Sequence, residues 1–336
     1  MECLEINTKV AMQENHCQRE FHSPAIQKPG FKGKTESPNQ IIHSKINTYP
    51  NLSIVNPERD NLNPVFEITQ KLYEEEMSPT EICLIRHTIL NDYFILKKIN
   101  KNKLFAPEHW DSALLELKIH SQLSHPNIID NINSGESDSA FLELLEYAPR
   151  FNYFVEKIEI NNMPFMTKRD GGIRKLKSFC FDILQGLKFL HSVNVIHMDI
   201  KPANLLLSTK VSDDEYCIVK ICDFGLSKIS NSNGEFLLRS RCGSEPYIAP
   251  EVVSGNIVTS AVDMWSFGVF LYILTVGYSP MTLKWKPGMQ LPAYARHWKK
   301  YEATGLFSFI EQCLQLEPAK RITAEEALRH QWLASI

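Results

Sequence analysis

A chain of 336 residues that is 43% hydrophobic and 22% charged is long enough for two sizeable cores and has the make-up of an ordinary globular protein. Its formal net charge of −3 speaks against a role built on bulk attraction to nucleic acid or to an anionic membrane. Eight scattered cysteines, none in a C-x-x-C pair, point away from a disulfide framework or a structural zinc site and toward reduced thiols. The opening residues, MECLEINTKV, lack the basic start and apolar run of a secretory signal. The longest apolar run, FGVFLYILTVGY, is too short to cross a bilayer. The expected setting is the cytoplasm, with the nucleus as the alternative.

In chain order, residues 1–63 are rich in Asn, Gln, Ser, Lys and Pro without a sustained period, the composition of a disordered tail. Ser23-Pro24 and Ser37-Pro38 have the form of proline-directed phosphorylation sites, a dipeptide that is also commonplace in tails. From about residue 65, VFEITQKL, EICLIRH and DYFILKKI read as strands punctuated by turns. Pro107 then opens a helix whose apolar side carries Leu114, Leu117 and Ile119, and AFLELLEYA is another strand. From about residue 150 the pattern turns helical. Leu176, Phe179, Cys180, Ile183, Leu184, Leu187 and Leu190 fall at helix spacing. DMWSFGVFLYILTVG is apolar nearly all round and is expected at the centre of the second half. Thr323 with Glu326 three residues on predicts a capping box at the start of the last helix. The basic stretch KRDGGIRKLK near residue 170 reads as a loop leading into the long helix. The basic and aromatic stretch 284–301 reads as solvated surface rather than a nucleic-acid site.

The chemistry concentrates in IHMDIKPANLLL, residues 196–207, where Asp199, Lys201 and Asn204 place a carboxylate, an ammonium and an amide on one short loop. About twenty residues later, after the strand YCIVKI, comes CDFGLS, and then GSEPYIAPE ending at Glu251. In order and spacing these motifs resemble the eukaryotic protein kinase family, over residues 66 to 334. The resemblance implies an α+β, bilobal fold. Residues 64–336 would form the kinase domain, with a β-rich N-lobe over 64–148 that carries one main helix, and a mostly helical C-lobe over 149–336. It implies that Asp199 accepts the substrate hydroxyl proton and that Lys201 steadies the γ-phosphate. Asn204 and Asp223 would be the Mg²⁺ ligands, since a hard cation takes oxygen donors. Lys97 would hold the α- and β-phosphates of ATP and Glu116 would pair with it. Leu145, Glu146, Tyr147 and Ala148 would form the hinge, with backbone groups of Glu146 and Ala148 facing adenine, and Ile82 would be the strand residue after the phosphate loop. Glu251 would pair with Arg321, and Asp263 would brace the loop that carries Asp199. Lys201, with Ser244 at the position that contacts the Asp199 loop, resembles the serine/threonine branch. The expected partner is a protein substrate, and the expected state is a monomer.

Two departures stand out. Ile82 lies fifteen residues before Lys97, the family spacing, so the three phosphate-loop glycines fall on Glu75, Met77 and Thr80. No glycine occurs from residue 34 to 134, so no other register supplies one. Glycine lets backbone N–H groups approach phosphate. Here Pro79 removes one N–H, and Glu74, Glu75 and Glu76 would repel a triphosphate that they faced. A hydrogen bond to a charged group is worth roughly 1.5–3 kcal/mol. Losing one or two of them weakens nucleotide binding or transfer by roughly ten- to ten-thousandfold. The second departure is Met198, where the family usually has an arginine that pairs with a phosphate on the activation segment, so control by phosphorylation there is expected to be weak. Two readings follow: an active serine/threonine kinase with an unusual loop, and a pseudokinase that keeps the fold as a binding or scaffolding module. The complete polar set favours the first, and the missing glycines favour the second.

Overall fold

The computed structural model describes residues 55–56, 61–62, 65–159, 171–208, 217–255, 257–283, 285 and 304–334. Residues 1–54, with both Ser-Pro dipeptides, and all of 284–301 except Trp285 lie outside them. A two-residue antiparallel ladder, Val55–Asn56 with Asn61–Leu62, precedes the main body.

The three expected N-terminal strands form as β1 (Phe66–Glu74), β2 (Thr80–His87) and β3 (Tyr93–Asn100). Helix α1 (Pro107–Gln122) follows, with proline in its first turn, and then β4 (Asn131–Glu136) and β5 (Ala140–Glu146). The strands make one antiparallel sheet in the order β1-β2-β3-β5-β4. Its pairing places Tyr73 opposite Ile82, Ile82 opposite Lys97, and Lys97 opposite Glu143. Directly paired residues project from the same face of a sheet. This row therefore shares the face that carries Lys97.

The buried face of α1 is Ala113, Glu116, Ile119 and His120. Leu114, expected on the apolar side, is instead 47% exposed. The helix is rotated so that two polar residues point inward, because both find buried partners there.

The second half begins with α2 (Tyr153–Glu159) and α3 (Gly171–Ser192). Residues 171–177 of the basic stretch are the first turns of α3 rather than a loop, and its remaining residues lie outside the described set. All seven apolar residues predicted to line α3 are buried. Strands β6 (Val195–Ile196), β7 (Leu205–Ser208) and β8 (Ile218–Ile221) flank the Asp199 loop and the approach to Asp223. Short strands β9 (Lys228–Ile229) and β10 (Glu235–Leu237) follow, pairing with β6 and with β11 (Ile257–Thr259). Helix α4 (Pro250–Ser254) carries Glu251.

Helix α5 (Ala261–Val276) is buried all round from Val262 to Val276, as its composition predicts. It packs on α6 (Leu306–Cys313) so closely that a Cβ at Gly268 would lie 2.7 Å from Cys313 Cβ. The last helix, α7 (Ala324–Leu328), starts at the expected capping box of Thr323 and Glu326. No helix among the described residues is long and apolar enough to cross a membrane.

Candidate active site

Strand β3 delivers Lys97 and helix α1 delivers Glu116 to one buried point. The Lys97 ammonium is ion-paired with Glu116 Oε1, and its Nζ lies 2.9 Å from Asp223 Oδ1. Burial works against the Lys97 charge, but Asp223, Glu116 and Glu143 outweigh it and hold its pKa well above the ordinary lysine value. Burial pushes Glu116 up to about 7 against the pull of Lys97. The Lys97 ammonium holds the Asp223 carboxyl far below the usual carboxylate range. Two carboxylates thus share one ammonium, and Asp223 ionises more readily than Glu116. Asp223 adopts a left-handed backbone (φ 65°), and 46% of its side chain remains accessible.

The loop between β6 and β7 forms a second cluster. Lys201 Nζ lies 2.8 Å from Asp199 Oδ2 and donates to Ser244 Oγ at 2.6 Å. Asn204 Nδ2 donates to the Asp199 carbonyl at 2.8 Å and to its Oδ2 at 3.1 Å. Asp199 Oδ1 is buried and has no hydrogen-bond partner among the described residues. An unpaired buried carboxylate oxygen is costly, and a site that retains one keeps an acceptor ready for a donor from outside. The two clusters are joined by backbone, because the Cys222 N–H donates to the Asn204 carbonyl at 3.0 Å.

This loop is rigidly braced. Asp263, fully buried on α5, accepts the His197 N–H at 2.9 Å and the Met198 N–H at 2.8 Å, and His191 Nε2 lies 2.9 Å from it. The bracing holds Met198 in a left-handed conformation (φ 71°) that a non-glycine residue adopts only at a cost. Met198 is buried in the apolar core, so no cation stands where the family has arginine. Gly243 sits against it: at φ 102°, a Cβ there would lie 3.1 Å from the Met198 carbonyl. Arg321 and Glu251 form the expected pair, at 2.6 and 3.1 Å, and Arg321 also donates to the carbonyls of Ala261 and Gln315. Ser227 is buried and donates to the His197 carbonyl, so it is not a surface hydroxyl.

At the end of β5, Glu146 gives its N–H to the Asp130 carbonyl and its carboxylate to Lys220 at 2.9 Å. Ala148 is buried and packs with Ile129 and Leu145, partly covered by Ile95, Leu206 and Cys222. Lys97, Glu116 and Asp223 therefore meet in one place, Asp199, Lys201 and Asn204 in an adjoining one, and Ile82 stands beside Lys97. Glu146 and Ala148 lie on a separate stretch.

The loop over residues 75–79 has committed some of its donors to its own turn. The Ser78 N–H bonds to the Glu75 carbonyl at 3.2 Å, the Thr80 N–H bonds to Ser78 Oγ at 3.1 Å, and Pro79 has none. Lys71 ties down Glu74 at 2.8 Å and Glu81 at 3.2 Å on the surface.

Sequence reasoning missed a buried polar bridge behind Lys97. His120 Nδ1 lies 3.2 Å from Glu143 Oε1, its Nε2 lies 2.9 Å from the Ile129 carbonyl oxygen, and Asn131 donates to the same glutamate oxygen at 2.8 Å. Burial would push Glu143 up, but the bond to His120 and nearby Lys97 leave it below its ordinary value. Phe224 lies between His120 and His197, with ring centroids 4.8 and 5.3 Å away. The one visible signal was a glutamate inside the apolar run AFLELLE.

The donor set suits a magnesium nucleotide. Among the described residues no three His, Cys, Asp or Glu side chains gather to hold a metal by themselves. Asn204, with its nitrogen committed to Asp199, and half-accessible Asp223 instead offer oxygens to an ion whose other ligands are phosphate and water.

Residues 79–333 match the protein kinase domain family. Calcium/calmodulin-dependent protein kinase type 1B of Homo sapiens is 30% identical over 286 residues, covering 82% of this chain and 77% of that one. The Rattus norvegicus protein of the same name is 29% identical over 292 residues, covering 84% and 78%. Calcium/calmodulin-dependent protein kinase type IV of Rattus norvegicus is 29% identical over 307 residues, covering 88% and 60%. With the match spanning most of the chain and the sheet, braced loop and ion pairs all in place, the chain belongs to the eukaryotic protein kinase family, on its serine/threonine side.

Proposed function

We propose that this chain is an active, atypical serine/threonine protein kinase that moves the γ-phosphate of ATP to Ser or Thr hydroxyls of a protein substrate. The observation that carries the reading is the buried, unpartnered Asp199 Oδ1 beside a complete polar set. In this mechanism Asp199 orients the substrate hydroxyl and takes its proton as the oxygen attacks the γ-phosphorus, the bond to the β-phosphate oxygen breaks, and ADP leaves. Lys201, already 2.8 Å from Asp199, offsets charge on the transferring group. Lys97, held by Glu116, binds the α- and β-phosphates. Asn204 and Asp223 hold Mg²⁺, which when bound neutralises phosphate charge. Ile82 packs on the base, which backbone groups of Glu146 and Ala148 orient. Residues 64–336 are the kinase domain in this reading, with lobes over 64–148 and 149–336, and 1–63 form a tail. The protein works as a monomer in the cytoplasm or nucleus.

Buried Met198 supports a segment that is not switched by phosphate, since it is held by Met198 and Gly243, by the bond of Lys201 to Ser244, and by the β10–β11 ladder. The missing loop glycines favour the second reading, a pseudokinase, as do Pro79, which has no N–H, and the Ser78 and Thr80 amides bonded within the turn. Phosphate transfer by the wild type and by Asp199→Ala separates the two. Transfer by the wild type that the variant lacks supports the kinase reading, and equal transfer by both overturns the role of Asp199.

A further inference from the structure

The glycine-free loop is held by a residue that follows strand β3. Lys103 Nζ lies 2.7 Å from the Glu76 carbonyl oxygen, 3.0 Å from that of Ser78 and 3.4 Å from that of Glu75. A lysine ammonium has three N–H donors and no acceptor, so all three are directed at one loop. The next attachment is backbone, because the Asn100 N–H donates to the Pro79 carbonyl at 2.8 Å. Four of the five loop carbonyls are thus claimed by the segment that runs from β3 to α1.

The consequence is geometric and electrostatic. In a trans peptide unit the C=O and the following N–H point in opposite directions. Turning the Glu75 and Glu76 carbonyls toward Lys103 turns the N–H groups of Glu76 and Met77 away from it. Both belong to the loop amides that remain after Ser78 and Thr80 have bonded within the turn and Pro79 is discounted. The ammonium also sets a positive charge among Glu74, Glu75 and Glu76, and it contributes, after Lys71, to lowering the pKa of Glu74. Tyr73 pairs with Ile82, which pairs with Lys97, so the strand that leads into the loop lies in the row that carries Lys97.

We propose that Lys103 is the positioning residue of the phosphate loop. Its ammonium fixes carbonyl direction where glycine would supply flexibility, and it offsets the glutamates so that a triphosphate is admitted. The inference rests on the kinase reading above and deepens it.

The test is binding of MgATP and of adenosine to the full chain by titration calorimetry, for wild type, Lys103→Met and Lys103→Arg. Lys103→Met is expected to bind MgATP about tenfold more weakly, the effect of about one charged hydrogen bond, with adenosine affinity unchanged. Lys103→Arg, which keeps charge and donors, is expected to restore most of the loss. A role confined to stability would weaken adenosine as much as ATP, and that result overturns the proposal. MgATP affinity equal in wild type and Lys103→Met also overturns it and leaves the kinase reading standing. Adenosine binding without any MgATP binding by the wild type overturns both.

Discussion

Two loops of this protein are built on opposite principles. The loop over residues 197–204 works through side chains, each fixed by a buried partner: Asp263 on its backbone, Asn204 on Asp199, and Lys201 between Asp199 and Ser244. The loop over residues 75–79 occupies the place where the family works through backbone N–H groups. Here the N–H groups of Ser78 and Thr80 are taken up within the turn, Pro79 has none, and the carbonyls are gathered by Lys103. The lesson is that chemistry carried by side chains is kept or lost one residue at a time, whereas chemistry carried by backbone can be rebuilt from different residues.

The first way to break the comparison is to remove the side-chain chemistry outright. Asp199→Ala is expected to lower phosphate transfer by about 10²–10⁴-fold while MgATP affinity stays within a small factor of wild type. Paired kinetics and calorimetry measure it, and a parallel loss of ATP binding would show that Asp199 serves nucleotide binding rather than the transfer step. Next in size is the brace at a distance. Arg321 is fully buried and bonded to Glu251 and to two carbonyls, so Arg321→Ala leaves a buried carboxylate uncompensated. Denaturant titration should show a loss of about 3–5 kcal/mol. A loss under 1 kcal/mol would mean that the ion pair does not hold these elements.

The third experiment sharpens the comparison at the backbone-built loop. Glycine at Glu75, Met77 and Thr80 together restores the family pattern. If Lys103 supplies the order, the triple variant should bind MgATP about threefold to tenfold more weakly, because added flexibility must be lost on binding. Tighter binding would mark the native loop as a degraded clamp.

The smallest expected effect is a pH dependence. Glu116 has a folded-state pKa of about 7, above the ordinary carboxylate value of 4.5. Between those values the folded state holds the proton more tightly than the unfolded chain, so this group makes stability fall as pH rises through the window. Asp223 acts oppositely, but its depressed pKa places its loss of stability in strong acid, outside the window. The thermal midpoint of the nucleotide-free protein should therefore decline by a few degrees from about pH 5 to pH 7, relative to Glu116→Gln. An identical slope in both proteins would remove Glu116 as the cause.

Much of this was legible in the sequence for a physical reason. The contacts among Asp199, Lys201 and Asn204, among Lys97, Glu116 and Asp223, and between Glu251 and Arg321 are made by side chains whose types the motifs display. The capping box at Thr323 and the all-buried α5 are equally local in origin. What was not legible depends on pairing between distant segments. Leu114 looked apolar-facing because the period of α1 does not reveal that His120 will find Glu143 and Asn131 on the sheet. Lys103 looked like one more basic residue, since nothing in LKKINKNK says that three carbonyls from a turn some 25 residues earlier will converge on it. The basic stretch before α3 read as loop because its glycines weaken helix propensity, and tertiary packing of Leu176 and Phe179 overrides them.

The central claim is that the side-chain loop and the rebuilt backbone loop together still transfer phosphate. The most direct measurement is labelled phosphate transfer from MgATP to a panel of serine- and threonine-containing protein substrates, with wild type beside Asp223→Ala. Labelled substrate is expected with the wild type and none with the variant. Label that is equal in both, or a wild type that binds MgATP yet labels nothing across the panel, would contradict it.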